Sequence, residues 1–126
     1  MNRENSDKKG TKTILVVEDS KFMSRRIIET LSSAGHNIVA NAKNGNEAVS
    51  LYMEYRPDVV TMDVTMKGKD GISAATDILN IDPEANIIFL TILNDPKIKE
   101  QMMNLGARGV VNKKNTQEIL NVIEDI

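Results

Sequence analysis

Residues 13–20 read TILVVEDS, and residues 21–33 read KFMSRRIIETLSS. The first stretch is a short run of β-branched and aliphatic residues that breaks abruptly into Glu18, Asp19 and Ser20. A run that is apolar at consecutive positions reads as a strand buried on both faces, as in a parallel sheet. Ser20 then caps a helix on which Met23, Ile27, Leu31 and Ala34 fall on one face. Strand, polar turn and amphipathic helix together make the repeat from which α/β folds are built.

The same unit recurs along the chain. Further strands are predicted at Asn37–Ala40, Val59–Met62, Ile87–Thr91 and Gly109–Val111. Asn44 with Glu47, and Asn115 with Glu118, have capping-box spacing. Asp70 caps a third helix, and Asp95 followed by Pro96 starts a fourth. Gly35 and Gly106 mark helix ends. Ala48, Leu51, Tyr52 and Tyr55 share a helical face, as do Ile119, Val122, Ile123 and Ile126. The expectation is an α/β domain over residues 13–126: a single five-stranded parallel sheet, doubly wound as (βα)5. Residues 1–12, MNRENSDKKGTK, are polar throughout and read as a mobile tail, neither signal peptide nor membrane anchor.

Composition narrows the chemistry. The chain has 126 residues with 40% hydrophobic and 27% charged side chains, the profile of one ordinary globular domain. Without Cys there is no disulfide, thiolate nucleophile or Cys-ligated metal, and a cytoplasmic setting is expected. His36 is the one histidine, so a multi-His metal site is excluded, and its place at the start of the second strand reads as structural. A net charge of −2 shows no basic excess for nucleic acid or an anionic membrane. No GxxxxGK[ST], GxGxxG or GxSxG pattern occurs.

Right-handed crossovers bring all the strand carboxyl ends to one edge of the sheet, where ligands bind in open α/β folds. Glu18 and Asp19 follow the first strand, Asp63 ends the third, Thr91 ends the fourth and Lys113 follows the fifth. Taken singly, these residues read blandly: acids at βα turns cap helices, Thr91 is a β-branched strand residue, and Lys113 beside Lys114 is a solvated charge. Together they are far more specific. Two carboxylates about 4 Å apart repel by roughly 4 kcal/mol at an effective dielectric near 20. Lys113 offsets one charge, and a divalent cation would offset the rest. Hard oxygen donors suit magnesium or manganese, and such a site asks for a phosphoryl group.

ILVVEDS, TMDVTMKGKDG, IIFLTIL and GARGVVNKK resemble, in order and spacing, the signature blocks of response-regulator receiver domains of the CheY-like kind. The resemblance spans about residues 12–126. It implies the flavodoxin-like strand order 2-1-3-4-5 and a phosphoacceptor switch in two-component signalling. Asp63 would be the phosphoacceptor; Glu18, Asp19, Asp63 and the backbone carbonyl of Thr65 would hold magnesium; Thr91 and Lys113 would contact the phosphoryl group. The donor would be a sensor histidine kinase, a phosphotransfer protein or a small acyl phosphate. The downstream target would be a protein, with no direct nucleic-acid or membrane binding expected, and the chain would be a monomer or a weak dimer on phosphorylation. Such a domain is not an enzyme beyond its own phosphorylation and dephosphorylation. Output through the fourth helix, fifth strand and fifth helix would place Met103, Val110 and Leu120 on the output face.

Four positions depart from the family pattern. Lys67 stands where Pro is usual, Lys114 where Pro follows the lysine, Val110 where a switch Tyr or Phe is usual, and Ile92 where a small residue follows the switch hydroxyl. The Lys113–Lys114 bond is therefore expected to be trans, and switching is expected to proceed without an aromatic rotamer. Two other functions fit the fold: a pseudo-receiver that binds partners without phosphorylation, and an autonomous magnesium phosphotransferase or phosphatase. The complete acidic and basic set argues against the first, and the lack of a substrate-binding insertion against the second.

Overall fold

The computed structural model describes residues 10–66, 70–92 and 95–126. Strands and helices alternate through them: β1 (Thr13–Val17), α1 (Lys21–Ser33), β2 (Asn37–Ala42), α2 (Gly45–Tyr55), β3 (Val59–Asp63), α3 (Gly71–Ile81), β4 (Ile87–Thr91), α4 (Pro96–Asn104), β5 (Gly109–Asn112) and α5 (Thr116–Glu124). The strands form one parallel sheet in the order β2-β1-β3-β4-β5. This is the doubly wound, flavodoxin-like α/β fold expected from the sequence. Strands β2, β3 and β5 run further than their apolar runs, to Ala42, Asp63 and Asn112, because the backbone ladder continues past the last aliphatic side chain. No helix among the described residues is long and apolar enough to cross a membrane.

Strand side chains alternate between two cores. Leu15, Val17, Val60, Met62, Ile87 and Phe89 pack with Tyr52 of α2, Ile78 of α3 and Met102 of α4. Ile14, Val16, Val59, Ile88 and Leu90 pack on the other side with Ile27 and Leu31 of α1 and Ile119 and Ile123 of α5. Burial on both faces explains why the strands are apolar at consecutive positions rather than alternating.

The predicted caps form. The side chains of Ser20, Asn44, Asp70, Asp95 and Asn115 accept backbone N–H groups of Met23, Glu47, Ser73, Lys97 and Glu118. Gly35 and Gly106 adopt φ of 97° and 111°, conformations that L side chains rarely adopt. Two stripe members depart from expectation. Ala34 is exposed because it is the C-cap of α1, past the buried face. Tyr55 is 46% exposed because α2 ends there, with Arg56 turning left-handed at φ 44°.

Residues 1–9 of the expected tail lie outside the described residues, as does Lys67. Lys12 is tied to the domain: its carbonyl accepts the N–H of Asn37 at 2.9 Å, and its N–H donates to Nδ1 of His36 at 3.1 Å. His36 is buried at the amino-terminal end of the sheet, with Nε2 3.8 Å from Glu124, away from the acidic edge.

Candidate functional site

The carboxyl ends of β1, β3, β4 and β5 deliver the acidic and basic residues to one place. Asp63 is the last residue of β3 and is fully buried. Its Oδ1 accepts the N–H of Thr65 at 3.2 Å, and its Oδ2 lies 3.5 Å from Nζ of Lys113. Glu18 is 1% exposed, with Oε2 accepting the N–H of Ser20 at 3.1 Å and Oε1 3.4 Å from the same ammonium. Asp19 is exposed, and one carboxylate oxygen from each of Glu18, Asp19 and Asp63 lies within 4.8 Å of the others. One ammonium thus faces three carboxylates, two of them removed from water.

That imbalance shows in the acidities. Burial pushes Glu18 up to about 7, with Asp63 adding to the rise while the Ser20 N–H and Lys113 oppose it. Burial also raises Asp63, against Lys113 and the Thr65 N–H. Two buried acids that resist ionisation beside a third need more positive charge than Lys113 supplies.

The chemistry of the donor set fits a hard divalent ion. At Mg–O distances of about 2.1 Å, oxygens in one shell lie at most roughly 4.2 Å apart, close to the 4.8 Å spread of these three. A cleft of about 550 Å³, lined by Asp19, Val64, Thr65, Met66 and Asp70, opens beside them.

Lys113 is positioned by backbone. Its N–H donates to the carbonyl of Thr91 at 3.1 Å, and the Asn112 side chain accepts the N–H of Lys114 at 2.9 Å in a tight turn. The described residues contain no cis peptide bond, so Lys113–Lys114 is trans as expected. Thr91 is buried at the end of β4, beside Asn112 in register.

The sequence model for the response regulator receiver domain matches residues 14–124. The chain belongs to that family. It is 43% identical over 100 residues to Protein CcdB of Bacillus subtilis, covering 79% of this chain and 83% of that one. It is 36% identical over 102 residues to the chemotaxis protein CheY of Thermotoga maritima, covering 81% and 85%. Among solved structures it resembles a chain of the CheX-CheY-BeF3-Mg+2 complex from Borrelia burgdorferi, with a TM-score of 0.85, 28% identity, and coverage of 90% and 87%. The chain is therefore a CheY-like receiver domain of two-component signalling, a signalling module.

The fold brings Glu18, Asp19, Asp63 and Lys113 together directly and places Thr91 and Thr65 at their border. Met103, Val110 and Leu120 lie elsewhere, on α4, β5 and α5. A cavity of about 550 Å³ between these elements is lined by Thr91, Pro96, Ile98, Met102 and Val110, so it reaches from the border of the receiver site to the outer face. Met103 is 43% exposed, whereas Leu120 is half-buried against the α1–α5 core.

Two positioning residues were not singled out in the sequence. Gly71 is buried against β3, where any Cβ would run into the backbone carbonyl oxygen of Asp63. The side-chain amide of Asn41 donates to the carbonyl of Val16 at 3.0 Å and of Ala42 at 3.3 Å, bracing the turn that carries Glu18. The glycine of the KDG stretch and the one polar residue near the end of β2 were the available signals.

Proposed function

We propose that this receiver domain is a phosphorylation switch in which Asp63 accepts the phosphoryl group and Glu18, Asp19, Asp63 and the Thr65 carbonyl hold magnesium, or manganese in its place. The carrying observation is a buried Asp63 carboxylate with an ammonium at 3.5 Å and two further carboxylates within 4.8 Å. A carboxylate oxygen of Asp63 attacks phosphorus, forming an O–P bond as the bond to the donor breaks. The electron pair leaves with the donor, a phosphohistidine imidazole or the carboxylate of a small acyl phosphate. When bound, magnesium offsets negative charge on the transferring phosphoryl oxygens.

The chain's own groups do the rest. The Thr65 N–H fixes the Asp63 carboxylate. Lys113, already paired with Asp63, moves its charge onto the phosphoryl oxygens. The Thr91 hydroxyl hydrogen-bonds the new group. Strain from that contact passes through the segment after Thr91 and the adjoining cavity to α4, β5 and α5, where Met103 and Leu120 meet a target protein. Val110 is too short and apolar to act as a hydrogen-bonding gate, so this relay is carried by backbone. A sensor histidine kinase or a phosphotransfer protein is the donor, and a cytoplasmic location accompanies that role.

Intact mass spectrometry after incubation with a small acyl phosphate, with magnesium and with chelator, tests the reading. Wild type gains one phosphoryl group in magnesium only, and Asp63→Ala gains none. An adduct that survives in Asp63→Ala, or forms equally in chelator, overturns it.

A further inference from the structure

His36 has no part in phosphoryl chemistry, yet its side chain is fully buried. Three parts of the fold meet on its ring. The chain entering β1 reaches it through the Lys12 N–H, which donates to Nδ1 at 3.1 Å. β2 begins at the next residue, Asn37, whose N–H donates to the Lys12 carbonyl at 2.9 Å. α5 ends at Glu124, whose Oε2 stands 3.8 Å from Nε2. An accepting Nδ1 fixes the neutral tautomer, with the proton on Nε2. Among the described residues that buried Nε2 has no hydrogen-bond partner, although a carboxylate lies a small movement away. The ring is satisfied on the Lys12 side and unsatisfied on the Glu124 side, and a buried polar atom left so calls for a reason.

We propose that His36 is a proton-operated clasp: the neutral ring holds the chain entering β1 through Lys12, and the protonated ring releases Lys12 and binds Glu124 at the end of α5. Protonation puts a hydrogen on Nδ1, which then meets the Lys12 N–H donor to donor, and that bond is lost. The positive ring draws the Glu124 carboxylate in from 3.8 Å, towards the roughly 2.8 Å of a charge-assisted hydrogen bond. The charged groups acting on the ring are Glu124 from α5, which favours the protonated form, and Lys12, which opposes it. α1 meets His36 through the Leu31 carbonyl, which accepts the His36 N–H at 3.1 Å, and no charged group of α1, β1 or β2 acts on the ring. Burial holds the ring below its ordinary 6.5, so the clasp is closed on Lys12 at neutral pH. Its contribution to stability is complete above 6.5 and is lost as pH falls through the lowered folded value. The release is local, because Thr13–Val17 keep their ladders to β2 and β3. It frees the junction before β1 and shifts the end of α5, at the end of the sheet away from Asp63, and it does not depend on phosphorylation.

With His36 the one histidine of the chain, its ring signals are unambiguous in an NMR titration. Full-length wild type, Glu124→Gln and His36→Gln are titrated across about pH 4.5 to 8 while exchange of the Lys12 amide is followed. At the basic end the ring should be the Nε2–H tautomer, with the Lys12 amide exchanging about tenfold more slowly than in an unstructured chain. That protection should vanish in the step in which the ring charges, while the Val16 amide in β1 keeps its own. Glu124→Gln should move both changes together to lower pH. Glu18 and Asp63 titrate at the other end of the sheet and are present in every variant, so a shift in Glu124→Gln belongs to the clasp. In His36→Gln the exchange of Lys12 relative to the unstructured chain should no longer depend on pH; Glu124→Gln carries the test by itself if that variant does not fold. Lys12 protection that stays constant while the ring titrates overturns the proposal. So does a midpoint that Glu124→Gln leaves in place, a ring that stays neutral throughout, or loss of Val16 protection in the same step, which would make the event global unfolding.

Discussion

Metal-free stability should fall as pH rises, because Glu18 is held in the fold at a cost to its charged form. Burial carries its pKa from the ordinary 4.5 up to about 7. Between those values the folded state keeps a proton that the unfolded chain has released. Stability therefore falls as pH rises through that window, and the whole penalty is present above it. At 1.36 kcal/mol per pKa unit, the penalty is on the order of 3 kcal/mol near pH 8. Asp63 is shifted in the same direction and shares Lys113, so the two titrate as a pair and reinforce one another. A divalent ion that binds only the folded, ionised site should offset the trend. Urea unfolding across about pH 5 to 8, in chelator and in magnesium, measures all of this. In chelator, wild type should lose roughly 2–3 kcal/mol over the range, and Glu18→Gln should lose less than half as much. In magnesium the wild-type loss should largely vanish. A level or rising stability in chelator, or an unchanged slope in Glu18→Gln, would refute the idea that uncompensated carboxylate burial governs this edge.

Gly71→Ala should destabilise the domain by about 1–3 kcal/mol, since β3 and α3 must separate to admit a methyl group beside the Asp63 carbonyl; it should also slow phosphorylation by a small acyl phosphate, and a wild-type melting curve with wild-type kinetics would count against the close packing. Tyr52→Phe should cost about 1.5–3 kcal/mol, because the buried Tyr52 hydroxyl donates to the Asp82 carboxylate at 2.6 Å; urea unfolding of Tyr52→Phe beside Asp82→Asn and the double variant isolates the pair. Met103→Glu and Leu120→Glu should weaken target binding while leaving Asp63 phosphorylation intact, as judged by affinity capture and intact mass; normal capture by both, with loss in an α1 or α2 variant, would move the output face.

Much of this was legible because the inner strands β1, β3 and β4 bury both faces, so aliphatic runs such as Val59–Met62 stand out between capped helices. The convergence of Glu18, Asp19, Asp63 and Lys113 followed from parallel strands, whose carboxyl ends share one edge, together with the strand order that the family resemblance implied. Other features depend on contacts that a linear reading does not hold. The β1–β2 register skips Val39 between the pairs Ile14–Ile38 and Leu15–Ala40, and nothing in NIVANA marks that bulge. Ala34 and Tyr55 fit their helical stripes by spacing, yet the helices end before those side chains reach the core. Gly71 looks like a turn glycine until its backbone is seen against Asp63. Lys12 looked like tail because its anchors are backbone groups of Asn37 and the ring of His36, distant in sequence.

The geometry also constrains where switching can occur. Asp63 ends the central strand β3, paired in register with Leu90 and wedged from behind by Gly71. Glu18 sits on a turn tied to β2 through the Ala42 carbonyl, and Lys113 on a turn tied to β4 through the Thr91 carbonyl. Adding a phosphoryl group to so braced a set cannot move the acceptor far without breaking the sheet. The compliant direction is towards Thr91, beyond which Ile92 is 57% exposed and the cavity beside Val110 leaves room for α4 to shift. An aromatic at position 110 would occupy part of that cavity. Val110→Tyr should therefore fill it and restrict α4 whether or not Asp63 is phosphorylated. Hydrogen exchange of the α4 amides reads this out: phosphorylation should alter protection in wild type and change it much less in Val110→Tyr. An equal response in both proteins would mean that the cavity has no part in the relay.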